Sequence, residues 1–253
     1  MPTFKGMIPY RLHRVRLRLL MCLLVLAGAR MLSASPAAAQ QGGSCPRFGP
    51  IQVKIEFQVA QLRRDYGRSF SQLASMPGRA PGPAGASNGH ILGLALAKFG
   101  ENSQLGALVQ PMGDGTYCGG ANALTVTFGF QERTIYVARE LPQGTCIHNE
   151  VLNHEMRHIA VDEQLLRDFG PTIKNRLEAT LAQVKPVRAR SKDQAMQALR
   201  RPVDTALRQL MQEFERERER RQAPVDTVAE YERVSRSCNG EINRYIPKGK
   251  GRL

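Results

Sequence analysis

The chain has 253 residues, 42% apolar and 23% charged, with 36 Lys and Arg against 22 Asp and Glu for a formal charge of +14, five cysteines and no tryptophan. That balance excludes a disordered tail and a multi-span membrane protein, and the length is ample to bury a core without help from metals or disulfides. A strongly basic total invites a nucleic-acid reading, but charge speaks to partners and solubility rather than to fold, so its distribution decides.

Much of the excess sits at the start. Residues 1–39 carry Lys5, Arg11, Arg14, Arg16 and Arg18, an apolar run over 19–29, Arg30, and a small-residue stretch ending Ser35-Pro36-Ala37-Ala38-Ala39. A basic head, a short apolar middle and an Ala-x-Ala site predict a secretory signal peptide cut between Ala39 and Gln40. The apolar run is eleven residues long, against the ~20 that a spanning helix needs, so no stable membrane span is expected. Six of the basic residues and none of the acidic ones lie in this segment, which leaves +8 on the following 214 residues. Four cysteines remain, Cys45, Cys118, Cys146 and Cys238. An even number in a chain bound for the periplasm or the exterior reads as two disulfides. Three pairings are open and sequence does not choose among them; Cys45 with Cys118 and Cys146 with Cys238 is the working expectation.

From Ile51 to Val59 apolar and polar residues alternate, which predicts a strand with Ile51, Val53, Ile55, Phe57 and Val59 on one face. A short helix over 69–75 and a Pro/Gly/Ala/Ser loop over 76–89 follow. Residues 92–99 read as a second strand and 112–122, with Cys118-Gly119-Gly120, as a turn-rich connection. Two β-rich runs, 124–130 and 134–138, flank Gln131-Glu132-Arg133 and predict a hairpin. Beyond Gly144-Thr145-Cys146 the character changes. Apolar residues from Val151 to Phe169 follow helical spacing from Asn149 until Gly170-Pro171. Further helices are predicted over 172–184, 192–221 and 226–237. Strands first and helices second give an α+β fold, a small antiparallel sheet followed by helices. We expect one domain over 40–246, β-rich across 45–140 and helical across 149–238, with a disordered basic tail over 247–253.

The chemistry concentrates in His154-Glu155-Met156-Arg157-His158, an H-E-x-x-H motif. Residues four apart share a helix face, so two imidazoles can close on one zinc ion from one side. Glu155 then projects beside the metal, able to take a proton from the zinc-bound water and hand it to a leaving amine. Only four histidines follow residue 39, namely His90, His148, His154 and His158, and two of them stand at ligand spacing around a glutamate. The preceding β-hairpin offers an edge strand to an extended peptide.

With Val151 and Ile159 flanking it, the motif resembles the active-site helix of the zincin metallopeptidases. The wider run from Ile135-Tyr136-Val137-Ala138 through Gly144-Thr145-Cys146 to Asp162, with the exported N-terminus and Asp226-Thr227-Val228-Ala229-Glu230-Tyr231 ahead of Cys238, is similar to bacterial proteins classed as predicted secreted zinc-dependent proteases. The resemblance implies a zincin-like fold, zinc at His154 and His158, and a catalytic Glu155. Arg157 departs from it, in a position usually uncharged in zincins.

A third metal ligand is unassigned, with Glu178 and Asp162 as candidates. Asp162 continues the i, i+4, i+8 series but lies ~12 Å along the axis from His154; its other role is to hydrogen-bond a ligand imidazole and fix its tautomer, an option shared by Glu150. Glu178, twenty residues after His158, reaches the site if Gly170-Pro171 turns the chain. The spacing that carries a third histidine in metzincins is absent. Tyr136 and Tyr231 are candidates for stabilising an oxyanion, and His148 for the same electrophilic role. The expected function is therefore an exported zinc metallopeptidase acting on a peptide or protein substrate. The alternative is a non-catalytic envelope protein whose basic surface makes weak contact with an anionic cell-wall or outer-membrane polymer. No nucleic-acid partner is expected, given export and the lack of a recognisable motif.

Overall fold

The computed structural model describes residues 44–77 and 90–246. The expected signal peptide and basic tail, and most of the Pro/Gly-rich loop, lie outside the described residues. In chain order the elements are β1 (Gln52–Val59), β2 (Leu62–Asp65), α1 (Phe70–Ala74), β3 (Gly93–Pro111), β4 (Tyr117–Val137), α2 (Cys146–Ala182), β5 (Val187–Ala189), α3 (Lys192–Gln222) and α4 (Val228–Gly240), closed by a 3-10 turn at Glu241–Arg244. This is an α+β fold. No helix among the described residues is long and apolar enough to cross a membrane.

Strand β4 is the spine of a five-stranded sheet. β3 runs antiparallel to it from Pro111↔Tyr117 to Gly93↔Val137. The other edge of β4 takes β5 antiparallel, then β1 and β2 parallel, end to end. The sheet is thus mixed rather than antiparallel throughout, because β1 and β2 return to β4 through a long connection instead of a turn. The predicted hairpin is also corrected. Residues 124–130 and 134–138 belong to one strand, and the hairpin is β3–β4, turning at Met112–Thr116, where the Asp114 carboxylate accepts from the Thr116 amide at 3.1 Å. The apolar pattern misleads because its parity switches: Leu124, Val126, Phe128 and Phe130 are buried, then Ile135 and Val137. A bulge opposite Lys98/Phe99 absorbs one residue of β4 and keeps both sets on the same side.

A second correction concerns α2, which continues through Gly170-Pro171 as one helix of 37 residues. Pro171 is exposed, so the carbonyl that loses its amide partner faces solvent, and the apolar stripe stays in register through Leu165, Leu166, Ile173, Leu177 and Leu181. Phe57 of β1 packs over Gly170, with a ring carbon 3.2 Å from where a Cβ would stand, so the missing side chain lets the ring sit close to the helix. α3 runs back along α2, and the two helices close the main core over Phe99, Phe128 and Phe130. Phe214 of α3 stacks on Phe99 with ring centroids 3.7 Å apart.

The disulfides pair as expected, Cys45–Cys118 and Cys146–Cys238. The first ties the N-terminal segment to the start of β4. The second joins the first residue of α2 to the far end of α4, so the segment between α3 and α4 is pinned over the N-terminal half of α2. A smaller apolar cluster, including Ile135, Val137, Leu141, Ile147, Val151 and Val234, supports that half from below.

Candidate metal centre

Thr145 caps α2 by accepting from the His148 amide at 3.3 Å, and the carboxylate of Glu241 accepts from the Ile147 amide at 3.0 Å. The helix therefore starts with the Ile147 and His148 amides satisfied and carries His154, Glu155 and His158 on the side facing β3 and α4. All three are poorly exposed, Glu155 at only 5%. The backbone of Gly93 in β3 lies so close that a Cβ there would be 2.6 Å from Val151 Cγ1 and 2.7 Å from Glu155 Oε1. The Ala95 amide of the same strand donates to the Glu155 carboxylate.

Asp226, just ahead of α4, joins the two histidines. His154 Nε2 lies 3.1 Å from Asp226 Oδ1, His158 Nε2 lies 3.4 Å from the same oxygen, and the two Nε2 atoms are 3.3 Å apart. Two imidazole nitrogens and one carboxylate oxygen suit zinc, and donors bound tetrahedrally at 2.0–2.2 Å stand about 3.3 Å from one another. The triad fits the metal by that measure. It is assembled across 72 residues of sequence, from His154 to Asp226.

Neither predicted third ligand takes part. Glu178 is exposed further along the unbroken α2, because the turn expected at Gly170-Pro171 does not occur. Asp162 is buried to 2% exposure and accepts from Arg218 with both oxygens at 2.8 Å, so its charge is already paired away from the triad. Asp162 does contribute at one remove. Gln222, the last residue of α3, donates to Asp162 Oδ1 at 2.7 Å and to the His158 carbonyl at 3.0 Å, and its Oε1 lies 2.6 Å from His158 Nδ1.

Behind His154 stands Glu230 of α4, with Oε1 3.4 Å from Nδ1. Arg157, the departure from the zincin pattern, forms an ion pair with Glu230, which also holds Arg233 at 2.9 Å; Arg233 reaches Glu150 at 2.8 Å. Glu150 thus faces Arg233 rather than a ligand imidazole. The hydrogen bonds from Arg233, Arg157 and His154 bring the Glu230 carboxyl down to about 2.

Electrostatics divide the acids. Burial pushes the Glu155 carboxyl up to about 7, against the pull of His158 and His154. Asp226 goes the other way: burial raises it, but both imidazoles, donating to it when they are charged, hold it well below the usual carboxylate range. His158 is raised, with burial opposed by its bonds to Asp226 and Gln222 and by the charge of Glu155.

Beside Glu155 opens a cavity of about 80 Å³ whose walls include Ile91, Leu92, Val151, Tyr231 and Val234. Tyr231 is thereby brought to the site, its ring 6.2 Å from that of His154. Tyr136 does not line this cavity. His148 is buried, within 3.1 Å of the Leu141 carbonyl and edge-on to Tyr66, which makes it an anchor for the entry to α2. Asp226 and Gln222 are the residues that sequence reasoning missed. Asp226 lies in the 226–231 run that carries part of the resemblance, but nothing there marks it as a ligand, since many surface helices begin with an acid directly before the cap, here Thr227.

Compared with known proteins, the chain matches no family model, no curated protein and no solved structure.

Proposed function

We propose that the protein is an exported zinc metallopeptidase that hydrolyses peptide bonds with Glu155 as the proton carrier. The observation that carries the reading is the closed triangle of His154 Nε2, His158 Nε2 and Asp226 Oδ1 with a buried glutamate next to it. His154, His158 and Asp226 would hold the ion, which when bound supplies Lewis acidity, lowering the pKa of water and polarising a carbonyl. Glu155, as a carboxylate, takes a proton from the attacking water. As an acid, it passes that proton to the amine nitrogen that leaves when the C–N bond breaks.

The zincin-like reading of the fold belongs to the same proposal, because the motif helix lies against an edge strand. The Ala138 amide donates to the Leu92 carbonyl at 2.8 Å, so alternate residues from Leu92 onward bond to β4. Gly93, Ala95 and Ala97 then turn their backbone groups the other way, where no strand among the described residues pairs with them; the Ala95 amide is held by Glu155, which leaves the groups of Gly93 and Ala97 and the Ala95 carbonyl for a substrate. A substrate backbone laid along that edge is bonded in an extended form, with a side chain entering the apolar cavity beside Glu155. Tyr231 is the side chain we assign to donate to the carbonyl oxygen as it gains charge. The two disulfides fit an oxidising compartment and so support export.

The test is zinc content together with hydrolysis of an unfolded protein. The full chain should take up one zinc, cleave in a chelator-sensitive way, and in Glu155→Gln keep the zinc but lose the cleavage. Unchanged cleavage by Glu155→Gln, or zinc uptake without hydrolysis of any unfolded substrate, overturns the peptidase assignment.

A further inference from the structure

We infer that Gln222 is a positioning residue that fixes the tautomer of His158, so that its Nε2 lone pair, and not an N–H, faces His154 and Asp226. This rests on the reading of that triad as a metal site. The chain of reasoning starts at Asp162. Both of its oxygens accept from Arg218, Oδ1 from Nε and Oδ2 from Nη2, each at 2.8 Å, so Asp162 is a carboxylate with only acceptor capacity to offer. One end of the Gln222 amide faces Asp162 Oδ1 at 2.7 Å and the His158 carbonyl oxygen at 3.0 Å. Two acceptors demand a donor, so that end is the NH₂ group.

The other end must then be the carbonyl oxygen, and it lies 2.6 Å from His158 Nδ1. An amide oxygen only accepts, which places the proton on Nδ1. In a neutral imidazole the second nitrogen then keeps its lone pair. Asp226 Oδ1 pulls the opposite way, since it too would welcome a proton from Nε2, but across 3.4 Å rather than 2.6 Å. Reversing the amide would set its oxygen against two acceptors at once. The order of command therefore runs Arg218, Asp162, Gln222, His158. It needs only two i, i+4 pairs on facing helices, His158/Asp162 on α2 and Arg218/Gln222 on α3. Arg218 is itself held over the Phe130 ring, 5.7 Å from the centroid, so the chain is rooted in the main core.

Two measurements on the full chain test this. In chelator-treated protein at alkaline pH, two-bond ¹H–¹⁵N correlations should show His158 protonated on Nδ1 in the wild type. In Gln222→Leu the proton should move to Nε2. In Asp162→Asn, where the neighbour can donate as well as accept, only the His158 carbonyl still demands a donor, so the amide is held less firmly and some of the Nε2–H form should appear beside the Nδ1–H form. Zinc affinity, read by competition with a chromogenic chelator, should fall by about 10–100-fold in Gln222→Leu and by less in Asp162→Asn. Gln222 is half-exposed at a helix end, so Gln222→Leu should fold. An Nε2–H form in the wild type, or an unchanged tautomer and affinity in Gln222→Leu, overturns the inference while leaving the metal site standing. Absence of zinc uptake by the wild type overturns both, and that single measurement tells the two failures apart.

Discussion

In its C-terminal half α2 buries Leu165, Leu166, Ile173, Leu177 and Leu181 against the phenylalanine cluster of the sheet. In its N-terminal half the same helix buries His148, His154, Glu155 and Asp162. The first half gains from removing apolar surface from water, at about 25 cal/mol per Å². The second half carries groups that cost energy to bury unless each finds a partner. Nearly all the partners come from elsewhere: Ala95 from β3, Arg218 and Gln222 from α3, Asp226 from just ahead of α4 and Glu230 from its first turn. One helix thus serves as anchor at one end and as site at the other, and the two ends should respond differently to substitution.

The largest expected effect is on catalysis alone. Glu155→Gln should reduce hydrolysis by about 10²–10⁴-fold, the usual contribution of a positioned acid–base group, while zinc uptake stays within a few-fold of wild type. At the other end of α2, Phe214→Ala removes the ring that stacks on Phe99 and should cost about 3–5 kcal/mol of stability. Chemical denaturation reads that loss directly. Zinc affinity of the folded Phe214→Ala protein should change little, because Phe214 touches no residue of the triad. Should affinity fall in step with stability, the separation of anchor from site is wrong.

How far each end was legible in the sequence follows from the same division. The anchor is local and periodic, and its misreadings came from punctuation. Gly170-Pro171 reads as a break, yet Pro171 faces solvent and Gly170 serves Phe57. Gln131-Glu132-Arg133 reads as a turn, yet a bulge flips the apolar parity within one strand, and Arg133 is buried, bonded to the Ala60 carbonyl at 2.7 Å and to Glu163 at 2.5 Å. In the site, the pair His154 and His158 was legible because both sit on one helix. Asp226 and Gln222 were not, since they arrive from 64 to 72 residues away along an α3 long enough to return to the same level of α2. No periodicity encodes that match of helix lengths.

Next in size is the stability cost of the site itself. In metal-free protein the Glu155 carboxyl titrates near 7 rather than at its ordinary 4.5. Below the ordinary value it is protonated in both folded and unfolded chains and contributes nothing. Between the two values the unfolded chain loses the proton while the folded one keeps it, so stability falls as pH rises. Above 7 the full penalty stands, at most about 3 kcal/mol. Glu155→Gln in chelator should therefore match wild type near pH 4 and exceed it at pH 8 in urea denaturation. A stability difference that does not change with pH would mean that burial is not what raises this group.

The smallest effect compares the backs of the two histidines. Gln222 presents only an oxygen to His158 Nδ1. His154 Nδ1 meets contradictory neighbours: Glu230 Oε1 at 3.4 Å, which calls for a proton on Nδ1, and the Arg157 guanidinium at 3.0 Å, which as a pure donor calls for none. Metal binding through Nε2 requires the proton on Nδ1, so Arg157 opposes it while Glu230 assists. Arg157 is half-exposed and Glu230 keeps Arg233 as a partner, so the opposition is weak. Arg157→Leu should consequently raise zinc affinity, by up to about fivefold, the equivalent of an exposed polar contact of 1 kcal/mol or less. A fall of more than a few-fold in the same competition assay would show instead that Arg157 helps Glu230 hold His154, and that the departure from the zincin pattern is part of the site's support.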